Sequence, residues 1–316
     1  MSELRIVADI GGTTARFALA HLGELHRDSI KVYTCNDFVD FDALYYRYAE
    51  EQSSAQQANE VVVAVAGPVK DKSVQMTYQP WSFDEPGLRS LCKANNAKIL
   101  NDFEAAAYAI PVLKANQWLA IGSPSPDPNQ LMTVMGPGTG LGVALCLPVQ
   151  PDFKIQSTEG GHAGISPANR LELAIFEYLL SQNQVITREL LLSGIGLTRI
   201  YQSVCAVEGV EVKEDSPEFI HRNAVERSNT QAEKALTIFC ELLGSAAGDQ
   251  ALSTGAKGGV FIAGGMAPRF IDFLRRTQFR ERFENKPPMR HYVEPIASVI
   301  VTEPYLGLVG AANVTL

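Results

Sequence analysis

The chain has 316 residues, of which 46% are hydrophobic and 20% charged, a balance typical of folded proteins with a large core. This length favours two domains or one double-lobed unit. The formal net charge of −8 argues against a nucleic-acid partner, because binding to a phosphate backbone needs clustered lysine and arginine. Disorder and nucleic-acid binding are therefore disfavoured.

The sequence carries no sign of export or membrane insertion. No uncharged apolar stretch approaches the roughly 18 residues of a membrane span, and the first residues lack the basic stretch and cleavage site of a signal peptide. The five cysteines are far apart and include no C-x-x-C pair that could bind zinc. We therefore expect a cytoplasmic protein with free thiols and no membrane partner.

Two similar hairpins are predicted along the chain. Residues 6–10 predict a strand, 11–14 a tight turn and 16–20 a returning strand. Because these glycines join strand to strand, the segment differs from dinucleotide-binding and Walker-type loops, which lead from a strand into a helix. The same layout recurs over residues 131–147. The repetition predicts two related halves.

Strands alternate with helices, which predicts an α/β protein. Further strands are expected at 61–66, 97–100 and 260–263, helices at 103–110, 171–180 and 232–252, and surface loops at 122–129 and 208–218. We expect a first lobe of residues 1–110, to which the last strand and helix (298–316) return, and a second lobe of residues 111–297. Ligands would bind between the lobes.

The two glycine turns predict a nucleotide site. A phosphate group needs several donors close together, and a glycine turn supplies N–H groups that no Cβ obstructs. The residues predicted to contact the phosphates are Gly11, Gly12 and Thr13 in the first turn and Gly138, Thr139 and Gly140 in the second. Asp9 could hold Mg²⁺ directly or through water. One such turn is typical of an ordinary hairpin, but its repetition with threonine favours phosphate binding.

The strand at 97–100 delivers Asn101 and Asp102 to its carboxyl end, where open α/β sheets bind ligands. Asp102 could accept the proton of a substrate hydroxyl that attacks a γ-phosphate, while Asn101 hydrogen-bonds a neighbouring hydroxyl. The alternative is that Asp102 simply caps the following helix.

Of three further features, two have two interpretations each. Glu159 and His162 surround two glycines and suit adjacent sugar hydroxyls, although a structural histidine explains His162 as well. Glu189 is by pattern alone a solvated helix position. Gly264 and Gly265 end a buried strand, where adenine or ribose could approach the backbone, but close packing of a helix explains them equally.

Six motifs follow one another along the chain: Asp9-Ile-Gly-Gly-Thr-Thr-Ala-Arg16, Leu100-Asn-Asp-Phe-Glu104, Gly136-Pro-Gly-Thr-Gly-Leu-Gly142, Glu159-Gly-Gly-His162, Glu189 with Ser193-Gly194, and Ala263-Gly-Gly-Met266. Together they resemble the bacterial glucokinases of the sugar kinase, actin and Hsp70 superfamily, nearly end to end. The resemblance implies an α/β protein with the two-lobed, actin-like ATPase (ribonuclease H-like) fold. It implies that ATP and the sugar bind in the interlobe cleft and that glucose 6-phosphate and ADP are formed at the entry to glycolysis.

The resemblance also implies roles for individual residues. Asp102 would be the catalytic base at the sugar 6-hydroxyl, and the ligands of the remaining hydroxyls would be Asn101, Glu159, His162 and Glu189. Glu189 thereby changes from a surface residue to a ligand. Gly264 and Gly265 would lie near the adenosine, Mg²⁺ would accompany ATP, and the lobes would close over glucose and exclude water. A homodimer is implied as well.

The chain departs from the family's pattern at Tyr78, where relatives have asparagine after Met-Thr, which puts contacts from this loop in doubt. The closely spaced cysteines of the zinc-containing repressor and kinase group are absent. Two alternatives remain. The same turns and base would serve a kinase for another hexose, and related chains with an added helix-turn-helix are sugar-sensing regulators. The first strand, expected from about Leu4, and the negative charge disfavour the regulator.

Overall fold

A computed structural model of the chain describes residues 4–77, 79–149 and 152–316. Tyr78 lies outside the described residues, so the departure noted at this position stays untested. The chain divides into two units, Met1–Leu113 with Glu303–Leu316, and Lys114–Thr302. Each strand and helix predicted above is present among the described residues, with bounds shifted by one or two residues.

The strands of the first unit are β1 Leu4–Ile10, β2 Thr14–His21, β3 Glu24–Thr34, β4 Glu60–Val65, β5 Val69–Lys70, β6 Ser73–Gln75, β7 Ser82–Asp84 and β8 Asn96–Asn101. Those of the second unit are β9 Trp118–Ile121, β10 Met132–Pro137, β11 Leu141–Val149, β12 Asp152–Thr158, β13 Gly259–Ile262 and β14 Ser298–Val301.

The α-helices are α1 Phe41–Glu51, α2 Glu85–Cys92, α3 Asp102–Ala109, α4 Arg170–Ser181, α5 Arg188–Leu191, α6 Gly194–Glu208, α7 Pro217–Val225, α8 Thr230–Thr254, α9 Ile271–Leu274, α10 Phe279–Glu284, α11 Arg290–Val293 and α12 Leu306–Ala312. Short 3₁₀ segments are Cys35–Asp37, Ser53–Gln57, Ile110–Val112, Gly160–His162 and Ala267–Phe270. In the described part of the chain, none of these helices combines the length and the apolar character that a bilayer span requires.

The main sheet of each unit follows the same plan over five strands. In the described residues the first sheet has the order β3-β2-β1-β4-β8, and the second has β12-β11-β10-β13-β14 with β9 added at its edge. In both, the central hairpin is antiparallel and the strands beyond its first strand run parallel to it. The repeated plan confirms the prediction of two related halves.

The boundary between the units differs from the predicted one at β14. This strand pairs in parallel with β13 and antiparallel with β9, so it completes the sheet of the second unit. The expectation that residues 298–302 return to the first unit was therefore wrong, and only the segment from Glu303 does so. The apolar run of β14 is buried on both faces, which suits either sheet equally and gives no indication of which one it joins.

In the first unit, α12 packs closely against α3. A Cβ on Gly310 would collide with the carbonyl oxygen of Ala105. Arg5 holds the C-terminal end of α12 by donating to the carbonyl oxygens of Ala311 and Ala312 at 3.1 and 2.9 Å. The C-terminal helix is thus fixed beneath the strand that carries Asp9.

Candidate active site

The first glycine turn joins β1 to β2. The Gly11 N–H donates to the carbonyl of Thr14 at 2.9 Å and closes the turn. Within the described residues, the N–H groups of Gly12 and Thr13 donate to no protein acceptor. Backbone donors without a protein acceptor at a glycine turn are what an anion requires.

Asp9 lies at the end of β1 beside this turn. Its side chain is 20% exposed, and its Oδ2 lies 3.5 Å from an Nη1 of Arg16 on β2. Burial raises the pKa of Asp9, while the Arg16 guanidinium opposes this rise. A carboxylate beside a turn with unused N–H groups is the kind of hard oxygen donor that Mg²⁺ prefers, so the residue present fits the ion.

Asp102 is brought to the same edge of the sheet because the ends of β1, β4 and β8 are in register at Ile10, Val65 and Asn101. Burial and the negative charge of Asp9 raise the pKa of Asp102 to about 6. A carboxyl group with this pKa exchanges protons readily near neutral pH, as a general base must.

The helix-capping alternative for Asp102 applies mainly to its neighbour. Asn101 is the N-cap of α3, and its Oδ1 accepts from the Phe103 N–H at 2.9 Å. Asp102 Oδ1 accepts from the same N–H at 2.9 Å. The Asn101 Nδ2 donates to the carbonyl of Gly67 at 3.2 Å, which leaves its second amide hydrogen for a ligand.

The second glycine turn joins β10 to β11 in the second unit. The Gly138 N–H donates to the Gly140 carbonyl at 2.8 Å, and the Gly194 N–H donates to the Gly138 carbonyl at 2.9 Å. The N–H groups of Thr139 and Gly140 have no acceptor in the ranges that the structure covers. Both predicted turns therefore present pairs of unused backbone donors.

Glu189 is only partly exposed and is held by contacts with the second glycine turn. Its Oε2 accepts from the Leu141 N–H at 2.8 Å, and its side chain lies so close to Gly140 that a Cβ there would be 3.1 Å from Cδ. Its Oε1 lies 3.8 Å from His162 Nδ1. Pattern alone gives no sign of these contacts, because the partners of Glu189 are distant in sequence.

His162 lies between two carboxylates. Its Nε2 is 3.7 Å from Oε2 of Glu159, on the side opposite Glu189. The segment is fixed by Gly161, where a Cβ would collide with the Leu141 carbonyl. The second unit thus brings three of the predicted sugar ligands, Glu159, His162 and Glu189, to one place.

Gly264 and Gly265 follow β13. Gly264 has a φ of +84°, and a Cβ there would lie 2.8 Å from the carbonyl oxygen of Pro137. Gly264 is therefore required by its left-handed conformation and by contact with the strand that leads into the second glycine turn, and not by helix packing. A Cβ on Gly265 would meet nothing within 4 Å, so its backbone is open to a ligand.

Three residues that support these positions were missed by the sequence analysis. Gln79 donates to the Gly12 carbonyl at 2.8 Å, and Gly307 packs against the Asp9 carboxylate. Arg188 is 8% exposed and donates to the carbonyl of Gly160 at 3.4 Å and to Gln250 at 3.1 Å. None belongs to a motif, because each acts through a backbone or side chain far away in sequence.

Two sheets of one plan, each with a glycine turn of unused N–H groups beside carboxylates, define an α/β protein of the actin-like ATPase class. The family model for glucokinase matches residues 6–316. The glucokinase of Colwellia psychrerythraea is 38% identical over 314 residues, covering 98% of this chain and 95% of that protein. The chain belongs to the glucokinase family.

Solved structures agree with this assignment. A glucokinase from an Antarctic psychrotroph is 32% identical and superposes with a TM-score of 0.89, covering 99% of this chain and 98% of the other. A glucokinase of the ROK family from Streptomyces griseus, crystallised with glucose and AMPPNP, has a TM-score of 0.66 at 17% identity, with 98% of both chains covered. This second likeness shows the fold alone.

Proposed function

We propose that the chain transfers the γ-phosphoryl group of ATP to the 6-hydroxyl of glucose, with Asp102 as the catalytic base. The observation that carries the proposal is that Asp102 and Asp9 lie at one edge of the sheet beside a turn with unused N–H groups. Burial and the charge of Asp9 raise the pKa of Asp102 to about 6, which suits a base. Family membership supports glucose and ATP as the substrates. The glucose and AMPPNP bound by the Streptomyces griseus enzyme support the same pair.

Backbone groups of the two glycine turns are proposed to contact the nucleotide. The N–H groups of Gly12 and Thr13, and those of Thr139 and Gly140, would donate to phosphate oxygens. Gly264 and Gly265 would lie along the adenosine, with the open backbone at Gly265 facing it. Asp9 would hold Mg²⁺ directly or through water, and the ion would neutralise charge on the phosphates.

Glucose is proposed to be held by acceptors and donors around its ring. Asn101 retains one amide hydrogen, and Glu159 and Glu189 offer carboxylate oxygens on either side of His162. Paired donors and acceptors of this kind discriminate sugars by the direction of each hydroxyl. Glu189 also accepts from the Leu141 N–H, so the same side chain would bind the sugar and support the second glycine turn.

In the proposed reaction, Asp102 accepts the proton of the 6-hydroxyl as its oxygen attacks the γ-phosphorus. The new bond joins the sugar oxygen to phosphorus, and the bond between phosphorus and the bridging oxygen of ADP breaks. The N–H groups of the turns stabilise the charge that develops on the phosphate oxygens. Desolvation around Asp102 keeps its proton affinity high enough for the transfer.

Coupled ADP release from the purified chain with Mg-ATP tests the proposal, using glucose, mannose, fructose, galactose and N-acetylglucosamine. Turnover with glucose is expected, and turnover with another of these sugars alone would replace the proposed substrate. No turnover with any of them would overturn the proposal. Asp102→Ala should abolish most turnover while nucleotide binding persists, because the phosphate contacts lie on the glycine turns.

A homodimer in the cytoplasm is proposed on the family resemblance. Sedimentation of the purified chain at several concentrations tests the assembly, with twice the mass of 34.4 kDa as the expected result. A single species at the monomer mass would exclude the dimer.

A further inference from the structure

The loop between β6 and β7 reaches the first glycine turn through one buried side chain. Gln79 is 9% exposed. Its Nε2 donates to the Gly12 carbonyl at 2.8 Å and to Oδ1 of Asn36 at 2.9 Å. These two bonds use both hydrogens of the amide, so Gln79 acts entirely as a donor on this side.

The bond to Gly12 fixes the orientation of the next N–H. A trans peptide is planar, so the Gly12 carbonyl and the Thr13 N–H point in opposite directions. Because Gly12 has no Cβ, rotation of this peptide meets little steric resistance. Holding the carbonyl therefore holds the Thr13 N–H on the side away from Gln79.

The other carbonyls of the turn are held as well. Cys35 donates from Sγ to the Gly11 carbonyl at 3.7 Å and from its N–H to the Thr13 carbonyl at 2.9 Å. The Gly12 carbonyl is held by Gln79, and no other donor to it is present in the part of the chain that the structure describes. With its oxygens engaged, the turn presents the N–H groups of Gly12 and Thr13 unpaired.

We propose that Gln79 is a positioning residue for the nucleotide phosphates, which sets the Gly12–Thr13 peptide so that the Thr13 N–H faces the phosphate. The inference rests on the proposed function, since it takes the first turn as a phosphate contact. Gln79 lies between β6 and β7, so its bond to Gly12 also connects this part of the chain to the proposed nucleotide site.

Three substitutions of Gln79 distinguish the effect of losing the N–H donor from the effect of changing the shape of the side chain. Gln79→Met keeps the length and removes the donor, and Gln79→Glu places an acceptor opposite the Gly12 carbonyl. Gln79→His keeps an N–H at a similar distance from Cα. The matched control is Gln75→Met, which removes a bond of 3.3 Å to the Trp81 carbonyl in the same loop without reaching the turn.

The full-length protein would be titrated with Mg-AMPPNP by calorimetry, and kcat and KM for ATP and glucose would be measured. Gln79→Met and Gln79→Glu should weaken AMPPNP binding by about tenfold or more, the range for one lost buried hydrogen bond. Gln79→His and Gln75→Met should stay within about threefold. The melting temperature should fall modestly in the Met and Glu variants, because each loses two bonds of a buried side chain. The KM for glucose should change little.

The possible failures are distinguishable. If the unsubstituted chain binds no AMPPNP, the proposed function fails and the role of Gln79 fails with it. If it binds AMPPNP and the Met and Glu variants bind equally well, only the role of Gln79 is overturned. An equal loss in Gln75→Met would also overturn it, because the effect would then belong to the loop as a whole. A variant that does not fold leaves the decision to the other two substitutions.

Discussion

Gly307 on α12 faces the carboxylate of Asp9 so closely that a Cβ at this position would lie 2.7 Å from Asp9 Cγ and 2.8 Å from Oδ2. Real Cβ atoms do not approach heavy atoms this closely, so a side chain at 307 requires Asp9 to move. The missing side chain at Gly307 therefore makes room for Asp9, the proposed Mg²⁺ ligand, against the C-terminal helix. No sequence motif indicates this relationship, because almost 300 residues separate the two positions.

We predict that Gly307→Ala lowers kcat/KM for Mg-ATP by about tenfold or more, because displacing Asp9 misplaces the group proposed to hold the ion. A double-mutant cycle with Asp9→Ala tests whether the collision is the cause, because this second substitution removes the Asp9 atoms that a Cβ at 307 would meet. In the wild-type background Gly307→Ala should destabilise the protein, whereas in Asp9→Ala it should stabilise it by about 0.5–1 kcal/mol through helix propensity. Equal effects of Gly307→Ala on stability in both backgrounds would contradict the collision.

Asp102→Asn is predicted to raise stability at pH 8 while abolishing most turnover. The folded pKa of about 6 exceeds the unfolded value of 3.8, so ionisation of Asp102 opposes folding once the pH rises through this window. Asparagine removes that cost and can still accept from the Phe103 N–H. Allowing for its partial exposure, the gain should be about 2 kcal/mol at pH 8 and should vanish near pH 4. Urea denaturation of both proteins at the two pH values measures it.

Much of the fold was predictable because its signals are local. The strand runs, the glycine turns and the helix after Asn101 each depend on neighbouring residues, and the repeated hairpin predicted the two related halves. The partner of β14 was not predictable, since a buried apolar strand suits any sheet that offers an edge.

The residues of the candidate site also fall into those that local sequence predicts and those that only the folded structure brings together. The turn residues and Asp102 have local signatures, whereas Glu189 contacts Leu141 and His162 only because folding brings them beside it. From the residues alone it was a solvated glutamate, and only the family resemblance indicated otherwise. Gln79 had no signal at all, because its partner is a backbone carbonyl.

The charge of Asp9 is, after burial, the second cause of the raised pKa of Asp102. In the nucleotide-free protein, carboxyl carbon NMR should therefore find Asp102 titrating near pH 6, with the carboxylate as the form competent to accept a proton above that pH. Asp9→Asn should move this titration to lower pH, because removing a neighbouring negative charge favours ionisation. An unchanged titration in Asp9→Asn would mean that burial alone raises the pKa.

Glu189→Gln is predicted to raise the KM for glucose while leaving nucleotide binding nearly unchanged. The amide oxygen can still accept from the Leu141 N–H, so the second glycine turn should keep its shape. The other oxygen, which faces His162 at 3.8 Å, becomes a donor and loses its charge, and a hydroxyl that donates there loses its acceptor. A buried donor left unpaired costs about 1–3 kcal/mol, so the KM should rise by about tenfold or more. Glu189→Ala is the contrasting variant, since it releases Leu141 as well and should weaken both glucose and AMPPNP. If Glu189→Gln weakened AMPPNP as much as glucose, Glu189 would act through the turn and not as a sugar ligand.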